Sequence, residues 1–491
     1  MSIKYYIYSV IISSLTLSGC TKFLEVTPRS TVSDDKLFED EPGFQQALNG
    51  VYNEMSGRSL YGDNLSMGYL SALAKNYTMT QSSHRFYLTN TFDYKNSSSV
   101  ESVWNKSYTA IATLNNVLNQ MENRKELFKE NNYSLIKGEA LALRAYLHFD
   151  LLRLFGQNYQ SNPSAKAIPY RTVYDLNVKE AQTSQEVIEM TLRDLDEAEE
   201  LLATTDPIVV NKDLYRRYRI NYYAVLGLKA RVYNYINDGV QASEYADKVI
   251  ASDLFPFVEK SAITTKDVKR KDRLFSSELV FSLRAKDIGK WADGSVDKKN
   301  DVYFHYTISG ASNYTLTMPD ANYRSLFEVP ANPDTDPVDY RYAHLIERED
   351  ILANEVYPSK YWQTWEPGSG EISRDRKDQT IPLIRISEMY YILAKNATSI
   401  DKALGYLNIV RQNRGIVKDL TTSNIVHEGL LLDEITKEYQ KEFYAEGQTF
   451  FWYKQIGATS IKFYAGTVVP ENYVFPIPIT EQEYNPSYNN K

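Results

Sequence analysis

Residues 222–250 read YYAVLGLKARVYNYINDGVQASEYADKVI, and this stretch decides the fold. Val225, Leu228, Val232 and Tyr235 recur at three and four residues, which places them on one face of a helix. Asn237-Asp238-Gly239 supplies a turn, and Ala242, Ala246, Val249 and Ile250 repeat the same spacing on a second helix. Gly227 and the spaced alanines remove bulk where the two helices meet. The stretch is therefore a tight helical hairpin.

Leu226-Gly227, Tyr233, Ala242 and Ala246 resemble half of a tetratricopeptide repeat, in which small residues let paired helices approach closely. A second pair follows at Ile386 to Ala394 with Ala403, Leu407 and Val410, sharing the plan but not the sequence. Pairs of this kind stack into a solenoid-like layer. Working outward, Leu37, Phe44, Leu48, Val51 and Tyr52 predict a helix that starts at Pro42-Gly43 and ends at Gly57. Val100 to Asn123 is helical by the spacing of Ile111, Leu114, Leu118 and Met121. Ile136 to Phe155 has two apolar faces, so it is a helix sandwiched between neighbours, with Gly156 as its C-cap. Ile188, Leu192, Leu195 and Leu202 mark another helix, N-capped at Thr183 or Ser184 with Glu186 behind, and a last one runs from about Leu431 to Gln455. The expected class is mostly α: a tetratricopeptide-like, α-solenoid-like scaffold of helix pairs with a loop-rich insertion containing short β-strands.

That scaffold sets the organisation of the chain. Residues 1–19 form a signal peptide, with Lys4 ahead of a short apolar run, and Leu17-Ser18-Gly19-Cys20 looks like a bacterial lipobox. Cys20 is the only cysteine, so lipidation there gives a membrane anchor through the N-terminus, with 20–33 as a tether. Residues 34–259 make the N-terminal helical scaffold, interrupted by an irregular excursion at 59–99. Residues 260–380 are the loop-rich ligand-binding insertion, where Val302, Phe304, Tyr306 and Ile308 alternate as a strand would. Residues 381–491 complete the single domain.

Composition excludes some function classes. The net charge of -8 is spread along the chain with no basic stripe, which argues against nucleic acid as a partner. The five histidines, His84, His148, His305, His344 and His427, are scattered without metal-ligand spacing, and no G-x-S-x-G elbow or phosphate-cradling glycine loop occurs. Glu438, Glu442 and Glu446 lie at helical spacing and read as a solvated or ion-paired helix face rather than an acid/base pair. The chain is expected not to be an enzyme and to hold no metal or cofactor. His148 reads as a core histidine, Arg144 as a scaffold ion-pair partner, and Trp104 and Trp452 as core residues. Trp362 and Trp365 either pack the insertion onto the scaffold or face a partner.

Several segments in order resemble the SusD/RagB family of outer-membrane nutrient-binding lipoproteins from Bacteroidetes. They are Cys20 with Phe23-Leu24-Glu25-Val26-Thr27-Pro28; Trp104 with Tyr108, Ile111 and Asn115; Arg144-Ala145-Tyr146 leading to Phe155-Gly156; and Ile168-Pro169. Arg385-Ile386-Ser387-Glu388, Asn408 to Gly415, Glu442-Phe443 with Glu446-Gly447, and Phe475-Pro476-Ile477-Pro478 continue the series. The chain departs from the family's pattern at Tyr439, Thr449 and Trp452, where charged residues are usual, so nothing can be argued from those charges here. The resemblance implies about four tetratricopeptide-like pairs carrying a variable ligand face. It also implies a partner, a SusC-like TonB-dependent transporter over which the protein closes as a lid, and a location on the outer membrane, facing the cell surface. Its ligand would be a nutrient, usually a glycan. Peptide capture, or a structural partnership with little binding of its own, are the alternative readings.

Glycan recognition asks for aromatic faces beside amides, carboxylates or guanidinium groups. The excursion and the insertion supply both, and they are where family members carry ligand contacts. The candidates are Trp291 and Tyr314 as stacking platforms, Tyr61 and Tyr77 as further aromatics, and Asp63, Asn64, Arg85 and Asn313 as polar partners.

Overall fold

The computed structural model of the chain describes residues 34–79, 82–94, 97–293, 303–304, 315–332, 338–347, 355–370 and 375–488. The signal peptide, Cys20 and the tether lie outside them. Ten helices of nine residues or more are present among the described residues: α1 Glu41–Met55, α2 Ser98–Glu122, α3 Asn132–Phe155, α4 Ser184–Leu202 and α5 Tyr222–Tyr235, then α6 Gly239–Ile250, α7 Ile386–Lys395, α8 Ile400–Gln412, α9 Glu428–Glu442 and α10 Gln448–Ile456. Each packs mainly on its neighbours in the chain, and α6 packs directly on α7 although 135 residues separate them. The insertion is thus looped out between two consecutive helices of a stack.

Local sequence explains most helix ends. Asp40 accepts a hydrogen bond from the Gly43 amide with Pro42 in the first turn, which starts α1 where the proline and glycine indicated. Thr183 and Glu186 form a reciprocal capping box on α4. Replacing Thr183 by alanine is expected to lower stability by about 1 kcal/mol in denaturant unfolding, whereas a loss below the error of the fit would show that the box adds nothing. At α3 every residue from Gly138 to Gly156 is buried, in line with its two apolar faces. Gly156, however, is not a left-handed cap: its backbone is extended, and an added Cβ would lie 2.9 Å from the Leu152 side chain. The end of α3 is instead capped by the buried Lys454 Nζ, which donates to the Arg153 carbonyl at 2.6 Å and the Gly156 carbonyl at 2.5 Å.

Packing corrects two expectations, and a third lies largely outside the described residues. The continuous helix from Leu431 to Gln455 is two helices, because Ala445 and Gly447 take left-handed backbone angles between α9 and α10. The excursion is not a surface loop: every residue from Leu60 to Tyr77 is buried, held by a run of turns such as Gly62 N–H to Gly57 O and Gly68 N–H to Asp63 O. Of the alternating segment 302–308, only Phe304 among the four alternating residues is described, and it lies outside any strand; Val302, Tyr306 and Ile308 lie outside the described residues. The strands that form are β1 Leu279–Arg284, β2 Met318–Pro319, β3 Ile346–Glu347, β4 Glu355–Pro358 and β5 Thr380–Arg385. β1 pairs antiparallel with β5, Leu279 opposite Arg385, which ties the two ends of the insertion together at the scaffold; the others form a small sheet in the order β2-β4-β3.

A buried ion network then clamps the insertion to α9. Arg414 grips Glu278 in bidentate fashion at 2.9 and 2.6 Å and reaches Glu442 at 2.9 and 2.6 Å. Arg385 joins Glu442 and Glu446, and Arg341 meets Asp339, Glu438 and Glu442. Lys360 reaches Glu446 at 2.7 Å. The acidic face of α9 and its extension is therefore ion-paired, but inside the protein rather than in solvent. Where the family pattern has charges, Tyr439 stacks on Trp452 with ring centres 4.3 Å apart, an apolar replacement that fills the space.

Glu438 gives this network a signature in acid. Burial opposes its ionisation, but Lys441, Arg341 and Arg411 outweigh burial and hold its pKa down from 4.5 to about 2. A depressed folded-state pKa stabilises the fold above the unfolded value, and that contribution fades as pH falls through 4.5 toward 2. The urea midpoint is expected to fall across that window, and Glu438→Gln to make the fall shallower. An identical slope in the variant would contradict the assignment.

Candidate functional site

The turns that bury the excursion also aim one carboxylate. Gly62 sits so close to the preceding turn that a Cβ would lie 2.2 Å from the Ser56 carbonyl, and this tight bend delivers Asp63 into the interior with no exposed surface. Its Oδ2 accepts from Arg58 Nε at 3.1 Å and Nη2 at 2.9 Å, from Arg85 Nη1 at 3.3 Å and from the Tyr303 hydroxyl at 2.7 Å. Oδ1 rests against Gly68, where an added Cβ would fall 1.9 Å away. One carboxylate oxygen thus gathers two arginines and a phenol from three separate stretches of chain.

Trp291 completes the cluster. Its indole N–H donates to the Gly62 carbonyl at 2.9 Å, and the Arg58 guanidinium lies 5.4 Å from its ring centre and 5.8 Å from that of Tyr303. The Tyr303 hydroxyl also accepts from Arg85 at 2.6 Å and Arg58 at 3.1 Å. Burial, and then the charge of Asp63, push the Tyr303 pKa well above 10, so the phenol stays protonated and donates to Asp63. Burial works against the charge of Arg58, but Asp63 more than compensates and raises its pKa. The side chains of Arg58 and Arg85 are 42% and 31% exposed while that of Asp63 is fully buried, so the two arginines form the partly exposed edge of the cluster.

The structure therefore brings Asp63, Arg85 and Trp291 together, and places the other candidates elsewhere. Tyr61 is buried with its hydroxyl on Asp150 Oδ2 at 2.7 Å, and Tyr77 is buried with its hydroxyl on the Met67 carbonyl at 2.7 Å. Neither ring has an open face, because both are packed against other aromatics. Asn64 is buried too, donating to the Ser59 carbonyl and the Ser102 hydroxyl. Trp291 itself is only 8% exposed and covered by Arg58, which corrects its role from open platform to anchor beneath a cation. Asn313 and Tyr314 lie outside the described residues. Arg58 and Tyr303 carry the geometry without having been singled out; the one signal was Arg58 directly before the excursion, and its pairing with Asp63 exists only once the turns form.

His148 is buried, accepting from the Arg171 amide at 3.0 Å and stacked on Tyr170, with burial lowering its pKa to about 3. Arg144 pairs with Asp194 through two 2.7 Å contacts. Trp104 and Trp452 are core residues, and the Trp362 indole donates to the Phe304 carbonyl, packing the insertion on itself. Among the described residues no three His, Cys, Asp or Glu side chains cluster as metal ligands, and no helix is long and apolar enough to cross a membrane. A hollow of about 440 Å³ lies between α2, residues 169–179 and 481–485. Its Tyr108 hydroxyl and Asn115 amide are already committed to the Pro169 and Arg171 carbonyls.

Comparison with known proteins decides the family. Residues 22–234 match the family model described as starch-binding associating with outer membrane, and residues 347–469 match the SusD family model. The chain belongs to the SusD/RagB family. SusD-like protein P2 of Formosa agariphila is 24% identical over 463 residues, covering 88% of this chain and 86% of that protein. A SusD superfamily protein from Bacteroides thetaiotaomicron superposes with a TM-score of 0.70 at 23% identity, over 91% of this chain and 98% of that one. A structure described as a putative sugar binding protein from Bacteroides vulgatus gives 0.67 at 22% identity, over 91% and 97%. As a SusD-family protein, the chain shares the helical fold of these structures, and the family model's description supports a glycan ligand and association with the outer membrane in general.

Proposed function

We propose that this SusD-family protein is a surface-facing outer-membrane lipoprotein, anchored through Cys20, that binds a nutrient oligosaccharide or polysaccharide. It delivers that nutrient to a partner SusC-like TonB-dependent transporter, over which it acts as a lid, and it performs no chemistry itself. The observation that carries the reading is the Asp63 cluster, where excursion and insertion meet and two partly exposed arginines are held by a buried carboxylate. Guanidinium groups fixed from below can hydrogen-bond sugar hydroxyls with little loss of side-chain entropy. The family description and the sugar-binding relative support the same ligand class.

Calorimetric titration against a polysaccharide panel tests this, with Arg58→Ala and Trp291→Ala as variants. At least one polysaccharide is expected to bind, about tenfold more weakly to each variant. Undiminished binding in both would remove the site, and binding of peptides without polysaccharides would turn the reading toward peptide capture. Cys20→Ala should move the protein out of the membrane fraction, and the transporter should co-purify with the wild type in detergent.

A further inference from the structure

Two arginines at the Asp63 cluster share one carboxylate. Arg58 and Arg85 bring two positive charges, and the one carboxylate between them is fully buried and meets both through a single oxygen. The protonated phenol of Tyr303 adds none. Lys290, beside Trp291, is matched by Asp287 at 3.1 Å, and Asp293 accepts from the Gln363 amide at 2.7 Å. Among the described residues, two partly exposed arginines therefore share a single buried carboxylate.

The donors point the same way. A guanidinium has five N–H groups. Arg58 spends Nε and Nη2 on Asp63 and Tyr303, and Arg85 spends Nη1 on the same pair. Arg58 Nη1, and Arg85 Nε and Nη2, have no hydrogen-bond partner among the described residues. Nε with Nη2 is the edge of arginine that takes two oxygens of one anion side by side, and such pairs are about twice as strong as neutral hydrogen bonds. A neutral hydroxyl would use one donor and leave the charge uncompensated.

We infer that the ligand of this site is an anionic saccharide, whose carboxylate or sulfate oxygens lie on the free Nε–Nη2 edge of Arg85 and on Nη1 of Arg58. This rests on the glycan-binding reading above and narrows it from sugars in general to uronate-bearing or sulfated ones. Carboxylate and sulfate share the chemistry, a planar or tetrahedral oxyanion presenting two oxygens to one guanidinium.

The test is affinity electrophoresis followed by calorimetry with polygalacturonate, alginate, dextran sulfate and carrageenan, against methyl-esterified pectin, dextran and amylose. At least one anionic polymer should bind, and its neutral counterpart should bind at least tenfold more weakly. If the uronates are retained, the carboxylate is the group read; if only the sulfated polymers are, it is the sulfate. Affinity should fall with added salt. Arg85→Gln, which keeps a donor and removes the charge, should lower anionic binding about tenfold, while Arg85→Lys should lose less; thermal melts of both variants check the fold. Preference for a neutral polymer, unaffected by Arg85→Gln, overturns the anionic inference and leaves glycan binding standing. Binding to none of the polymers overturns both.

Discussion

Replacing Arg414 by alanine is expected to cost about 3–5 kcal/mol of stability, a loss large for any single side chain. Arg414 has no exposed surface, and its guanidinium is the shared partner of Glu278 and Glu442, which are also fully buried. Burial alone would raise the Glu442 pKa, yet Arg414 and Arg385 hold it well below the carboxylate range, so it is ionised at neutral pH. Removing Arg414 leaves Glu278, at the start of β1, without its bidentate partner in a dry interior. Because Glu278 belongs to the insertion and Glu442 to α9, the variant should also loosen the insertion from the scaffold. Denaturant unfolding gives the stability, and limited proteolysis should cut first within residues 260–380. A loss below about 1 kcal/mol would mean that water reaches the network and screens it.

Gly447→Ala is the second large effect, expected to cost about 2–5 kcal/mol by adding left-handed strain to a backbone collision. Its φ is +78°, and an added Cβ would stand 2.3 Å from the Leu65 carbonyl. A carbonyl cannot rotate away as a side chain could, and this one belongs to the turns that hold Gly62 and Asp63. The variant should therefore lose ligand affinity together with stability, although residue 447 has no place in the site. Gly405→Ala is the control, since an added Cβ there meets nothing within 4 Å inside α8. It should be neutral or stabilising by about 1 kcal/mol. Equal behaviour of the two variants would refute the collision argument.

The helical stack was legible because it is built from local rules. The spacing in α3 and the capping box at Thr183 each act within a few residues, whereas Gly227, expected to ease the approach of α6 to α5, faces Ile384 and Met389 instead. Errors came where distant segments decide: the break at Ala445 and Gly447 answers to Leu65, and the end of α3 is held by Lys454, about 300 residues away. The same holds at the site. Asp63, Arg85 and Trp291 come together in one cluster, whereas Tyr61 and Tyr77, aromatics of the same excursion, are committed to Asp150 and the Met67 carbonyl.

The sequence by itself determined the helix pairs, the place of the insertion and the membership of a family, since periodicity and ordered motifs survive in one dimension. Only the tertiary structure decided which aromatics are core, which carboxylates of α9 are buried, and that one oxygen of Asp63 organises two arginines and a tyrosine. The reason is physical: exposure and charge balance depend on what the rest of the chain places around a side chain, and here those partners come from up to 240 residues away.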